Sequence, residues 1–108
     1  MKAEETGPKT ILRTDDVQVR IMPLGPGAAT PEHRHTEVTD TMVCLTGRIR
    51  VTRLPRTDRT GDRENVELAP GQRVQIEPGT VHAVANATDE PAEYLLIQGV
   101  GKYDFLKA

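Results

Sequence analysis

Glycine and proline punctuate this sequence so densely that helices of ordinary length have little room between them. Pro23, Gly25-Pro26-Gly27, Pro31, Gly47, Pro55, Gly61, Pro70-Gly71, Pro78-Gly79, Pro91, Gly99 and Gly101 leave segments of roughly five to eight residues, a strand's length. Inside these segments the hydrophobic period is two. Val17, Val19 and Ile21 alternate with Gln18 and Arg20; Ile49 and Val51 alternate with Arg48, Arg50 and Thr52. Val74 and Ile76 alternate in the same way with Arg73, Gln75 and Glu77. Side chains two apart on a strand share a face, so each segment offers an apolar face to a core and a polar face to water. Residues 41–46 and 94–97 are more continuously apolar, which predicts strands covered on both faces. Many short strands at regular spacing predict an all-β sandwich or barrel. No boundary or repeat interrupts them. Residues 10–108 therefore read as one barrel domain after a polar, loosely held tail at residues 1–9. Residues 55–65 lack apolar side chains and read as an exposed hairpin loop.

Composition narrows what such a domain can do. One Phe, two Tyr and no Trp leave the core to Val, Ile, Leu and Met. A net charge of −2 gives no electrostatic footprint for nucleic acid. Arginines recur between Arg48 and Arg63, but Asp58, Asp62 and Glu64 are interleaved with the later ones, as on a solvated face. No apolar run is long enough to span a bilayer, and the N-terminus has no apolar export signal. Asn86-Ala87-Thr88 matches a glycosylation acceptor formally, and without export it carries no weight. The single cysteine, Cys44, excludes an internal disulfide framework, so a cytoplasmic location is expected.

The three histidines are the most informative side chains. His33 and His35 are two apart, so on a strand they point to the same face, where two imidazoles can converge on one ion. His82 follows Pro78-Gly79-Thr80, a turn signal that starts a new strand with His82 near its mouth. In a closed barrel, His82, Val84 and Asn86 share the interior with that pair.

These residues resemble the two signature motifs of the cupin superfamily. Gly27, His33, His35, Asp40 and Gly47 fall in the slots of the first, G-x5-H-x-H-x3,4-E-x6-G, with Asp40 in place of the usual Glu. Gly71, Gly79, His82 and Asn86 fit the second, G-x5-P-x-G-x2-H-x3-N, with Glu77 in place of its first proline. The resemblance spans residues 27–86 and uses every histidine in the chain. It implies a jelly-roll-like β-barrel, usually dimeric, with one metal ion held near one end by His33, His35, His82 and a carboxylate at Asp40.

Asp is one methylene shorter than Glu, so Asp40 has three options: direct ligation, ligation through a water, or orientation of a histidine from outside. Glu37 is a rival, since it shares strand parity with His33 and His35, although a bend is needed to bring it to the ion. Glu32 points to the opposite face from His33 and reads as solvated. Met42 and Cys44 share Asp40's parity and read as core, and Asn86 reads as a buttress of its turn. Tyr94 and Gln98 share one face of the last long strand, from which they can reach the barrel's cavity, although an ordinary outer face is the first reading. Lys102, Tyr103 and Asp104 lie in a tail without a sequence signal.

Three imidazoles and one carboxylate leave positions open on a six-coordinate ion, and an open coordination sphere marks a reactive site. Nitrogen and oxygen donors suit Fe, Mn, Ni, Cu and Zn alike. The expectation is a metal-dependent enzyme acting on a small oxygenated or carboxylated molecule, by dioxygenation or by isomerase, lyase or cyclase chemistry. The alternative is a non-catalytic module that binds or senses a small molecule. Expected partners are a small ligand and a second copy of the chain, the dimer resting on the family and on the apolar run Leu95-Leu96-Ile97. Neither nucleic acid nor membrane is expected.

Overall fold

The computed structural model describes residues 8–54 and 62–108. Its strands are β1 (Lys9–Arg13), β2 (Val17–Leu24), β3 (His33–Arg34), β4 (Thr39–Thr46), β5 (Ile49–Arg53), β6 (Glu64–Leu68), β7 (Arg73–Ile76), β8 (His82–Ala85), β9 (Ala92–Gly99) and β10 (Leu106–Lys107). Among the described residues they form two five-stranded antiparallel sheets, ordered β1-β2-β9-β4-β7 and β10-β3-β8-β5-β6. The segments with period two are β2, β5 and β7. Val17, Val19 and Ile21 of β2 are half-buried on the outer face, and β2 turns Met22 and Leu24 to the core instead. The apolar faces of β5 and β7 close on one core between the sheets. Met42, Cys44, Ile49, Val51, Ile76, Val84, Tyr94 and Leu96 fill it.

The expectation for residues 41–46 and 94–97 needs correction. In β4 and β9 alternate residues are buried on the inner face, but the outer face is only half-buried up to Val43 in β4 and along β9. Among the described residues no layer covers the outside of this sheet, so Val43, Leu95 and Ile97 are apolar without being enclosed. The run at residues 95–97 also lies on a strand paired on both sides, not at a sheet edge.

Residues 55–61 of the expected hairpin loop lie outside the described residues. Glu64 and Asn65 are already in β6, opposite Arg53 and Thr52 of β5. Of the expected tail, residues 1–7 lie outside the described residues, and Lys9 opens β1. The arginine-rich face is laced with exposed ion pairs, Arg50–Glu67, Arg53–Glu64 and Arg63–Glu32, which add little stability in water. Glu32 is thus paired at the surface.

One glycine is dictated by space as well as by backbone. Gly47 turns the chain from β4 to β5 at φ +73°, and a Cβ there would lie 2.6 Å from the Pro91 carbonyl oxygen and 2.9 Å from Ala92 Cα. No side chain fits.

Candidate metal centre

His33 on β3 stands directly opposite His82 on β8, in one sheet. His35 lies just beyond the two-residue β3, and its carbonyl accepts a hydrogen bond from Gly79 N–H at 2.7 Å, tying it to the turn before His82. The expected alternation survives past the strand's end: His33 and His35 are buried, and Arg34 between them is exposed. Asp40 comes from β4 of the other sheet, so the cluster bridges the two layers. All four side chains are buried, and one potential ligand atom from each lies within 4.8 Å of every other. An ion with bonds of about 2.0–2.2 Å spans at most about 4.4 Å between opposite ligands, so the cluster is close to ion-sized.

The proton inventory decides whether the residues fit a cation. His33 Nδ1 contacts the Pro31 carbonyl at 2.7 Å, His82 Nδ1 the Thr80 carbonyl at 2.8 Å, and His35 Nδ1 the Asp104 carbonyl at 2.5 Å. A carbonyl oxygen only accepts, so each Nδ1 carries the hydrogen, and each neutral ring keeps its Nε2 lone pair for the cluster. Asp40 Oδ2 lies 2.8 Å from His82 Nε2 and 3.1 Å from His35 Nε2. Lone pair would face lone pair there unless a proton or a metal ion lies between them. His35 Nε2 is buried, and its contact with Asp40 is poorly aligned for a hydrogen bond, so among the described residues it lacks a hydrogen-bond partner. Backbone carbonyls that lock Nδ1–H and aim Nε2 inward are the outer support that metal-bound histidines need. The donor set fits a divalent cation.

Electrostatics agree. Burial pushes the Asp40 carboxyl up, but the His35 and His82 rings beside it more than offset this, holding Asp40 far below the usual carboxylate range. Burial lowers the pKa of His33, and the net shift is downward, which favours the neutral ligating ring. Burial acts the same way on His35, yet Asp40 and the Asp104 carbonyl outweigh it, so His35 is raised.

Glu37 lies away from the cluster: its carboxylate is at the surface and accepts a hydrogen bond from Lys102 N–H at 3.1 Å. Cys44 is fully buried in the core, its thiol pKa raised by burial, with Sγ near the Thr46 and Gly47 carbonyls. Asn86 buttresses its turn, donating to the Leu24 and Glu90 carbonyls and accepting from Thr88.

Tyr94 and Gln98 do not lie on an outer face. Both are 2% exposed and point between the sheets, because Gln98 pairs with Asp40 across β9 and β4 and so shares its side. Gln98 Nε2 donates to Asp40 Oδ1 at 3.1 Å, leaving Oδ2 for the histidines. The tail also joins the site. Phe105 stacks on His33 with ring centroids 4.4 Å apart, Tyr103 lies 5.4 Å from the His35 ring, and Asp104 supplies the carbonyl on His35. In a chain with three aromatics, Tyr103 and Phe105 so close together were the one available signal that this tail packs.

A family model for the cupin domain matches residues 20–98. The chain belongs to the cupin family. No curated protein matches this cupin in sequence. Among solved structures, it is similar to an uncharacterized conserved protein with a double-stranded beta-helix domain from Klebsiella pneumoniae, at 22% identity and TM-score 0.77 over 99% of this chain and 89% of that one. It is similar to oxalate oxidase at 18% identity and TM-score 0.77, over 86% of this chain and 46% of the oxidase. A third likeness is to Bacillus subtilis oxalate decarboxylase, a protein with Mn(II) centers, at 20% identity and TM-score 0.74, over 86% of this cupin and 24% of that chain. This cupin thus spans less than half of either oxalate enzyme, and at such identities the likeness shows the fold alone.

Proposed function

We propose that this cupin holds one divalent metal ion with His33, His35, His82 and Asp40 and is an enzyme acting on a small oxygen-bearing molecule. The observation that carries this reading is the set of three imidazoles, each locked at Nδ1 by a backbone carbonyl and gathered with one buried carboxylate, on which His35 and His82 aim Nε2. Once bound, such an ion supplies Lewis acidity to a coordinated oxygen. The chain's residues do the rest: Gln98 steadies Asp40, the Nδ1 bonds fix the rings, and Tyr103 and Phe105 limit water at the cluster. The fold shared with two oxalate enzymes, one with Mn(II) centers, supports an enzymatic role, with oxygen-dependent and lyase-type chemistry as the reaction classes to assay.

The test is elemental analysis of protein purified without chelator, followed by titration of the stripped protein with Mn(II), Co(II) and Zn(II). We expect up to one ion per chain, lost in His82→Ala. Full retention in a His33→Ala, His82→Ala double variant would sink the site.

We also propose a homodimer built on the outer face of the β1-β2-β9-β4-β7 sheet. Cross-strand pairs put Val19 beside Ile97, and Ile21 and Val43 beside Leu95, on that face, and Leu12 of β1 extends it. Ile11 and Leu12 are about half exposed, at 52% and 51%. The lone buried Cys44 suits a reducing compartment, and the cytoplasm is the proposed location.

A further inference from the structure

A cavity of about 70 Å³ lies between the sheets beside the cluster, with His33, His35 and Asp40 on one side and Arg20, Tyr94 and Gln98 among its other walls. Its polar walls away from the cluster are rich in donors that lack an acceptor. Arg20, on β2, makes one hydrogen bond among the described residues, from Nη2 to Gln98 Oε1 at 3.0 Å, and no ion pair. Its Nε is buried without a partner. A buried guanidinium N–H with nothing to donate to is costly, and the guanidinium fork matches a carboxylate. The Tyr94 hydroxyl also makes no hydrogen bond among the described residues. Burial first, and then the charge of Asp40, push its pKa up to about 12, so it keeps its proton and can donate. Gln98 spaces the two ends, since one amide holds both the Arg20 guanidinium and the Asp40 carboxylate.

We propose that this cavity is a carboxylate subsite, in which the Arg20 guanidinium and the Tyr94 hydroxyl hold the carboxylate of a small ligand whose other end faces the histidine cluster. The metal-site reading underlies only that second contact. Size limits the ligand. A cavity of about 150 Å³ takes benzene, so 70 Å³ suits about three or four non-hydrogen atoms, the size of formate or acetate. Apart from Thr30 and Tyr103, the rest of the lining is apolar, with Met22, Met42, Val84 and Leu96 on the core side, which strengthens a charge-assisted hydrogen bond inside.

The experiment is calorimetric titration of acetate and formate, with acetamide as the neutral control, into protein loaded with Mn(II) and into protein stripped of metal. Acetate is expected to bind about tenfold or more tighter than acetamide. Arg20→Gln is expected to weaken acetate about tenfold or more, and Tyr94→Phe several-fold, with metal content unchanged. Tyr94→Phe conserves volume and carries the test if Arg20→Gln destabilises the fold. Acetate bound no better than acetamide, or bound equally by wild type and Tyr94→Phe and by any folded Arg20→Gln, would overturn the subsite whether or not metal is present. Protein that takes up no metal, yet loses acetate affinity in Tyr94→Phe, would keep the subsite and overturn the metal reading instead.

Discussion

At Gln98 a single amide serves two opposite charges, donating to Asp40 and accepting from Arg20. Gln98→Leu keeps most of the volume and removes both of these bonds, together with the one that Gln98 accepts from Gln18. We expect metal affinity to fall about 10- to 100-fold, measured by chelator competition, as for other supports of metal ligands. Leaving Asp40 Oδ1 short of a partner in the interior is expected to cost about 1–3 kcal/mol, read by urea unfolding. Asp40→Asn removes the anion itself, and its metal affinity should fall at least as far as that of Gln98→Leu. The histidines set the pH response. A ligating imidazole must be free of a proton at Nε2, and His35, raised by Asp40 and the Asp104 carbonyl, takes one first as pH falls. In metal-free protein this raised pKa stabilises the fold below the unfolded value of about 6.5, and the contribution is lost as pH rises through the folded pKa. Metal binding needs the opposite state. The gain in Tm on adding metal is therefore expected to be largest above about pH 7 and to shrink steadily toward about pH 5.5. A gain that stays constant across this range would show that His35 is not a ligand.

Among the elements, the turn between β4 and β5 and the C-terminal segment matter most. Gly47→Ala places a methyl group into the Pro91–Ala92 backbone at a positive φ, so it should destabilise by more than the roughly 1–2 kcal/mol of left-handed strain alone. A thermal melt checks it, and an unchanged Tm would mean the backbone yields at no cost. The segment after Gly101 closes the site: Phe105 stacks on His33 and Asp104 anchors His35. Phe105→Ala should leave the fold intact, since Phe105 is 43% exposed and outside the core, and forfeit an aromatic contact of about 0.5–1.5 kcal/mol. Its expected signature is faster metal release to an external chelator, with ligand side chains unchanged. Release at the wild-type rate would show that the segment covers the site without guarding it.

For the whole molecule, the outer face of the β1-β2-β9-β4-β7 sheet is the proposed seat of a partner copy. Light scattering is expected to give twice the 11.9 kDa chain mass at micromolar concentration. Leu95→Glu puts a charge at the centre of that face, between Ile21 and Val43, and should yield the single-chain mass without loss of metal. A wild-type monomer across a wide concentration range would refute the dimer.

Local periodicity determined the strands, and motif spacing determined which side chains to gather. Period-two alternation in Ile49–Arg53 and Arg73–Ile76 is a property of each segment alone, legible because burial on one face of a strand leaves its mark at every second residue. In Val17–Leu24 the same alternation marked a strand whose apolar residues Val17, Val19 and Ile21 face outward. His33, His35, Asp40 and His82 were legible because two spaced motifs contain every histidine of the chain. Tertiary structure decided what depends on pairing between distant strands. Tyr94 and Gln98 face inward only because β9 meets β4 in the register that sets Gln98 opposite Asp40. Asp40 reaches the histidines and Glu37 does not because the chain crosses from one sheet to the other between β3 and β4. Asp104 and Phe105 reach the cluster by folding back against β3, 69 residues from His35 for the carbonyl contact. A residue's own neighbours carry no trace of a partner that far along the chain, so such contacts exist only once the sheets have formed.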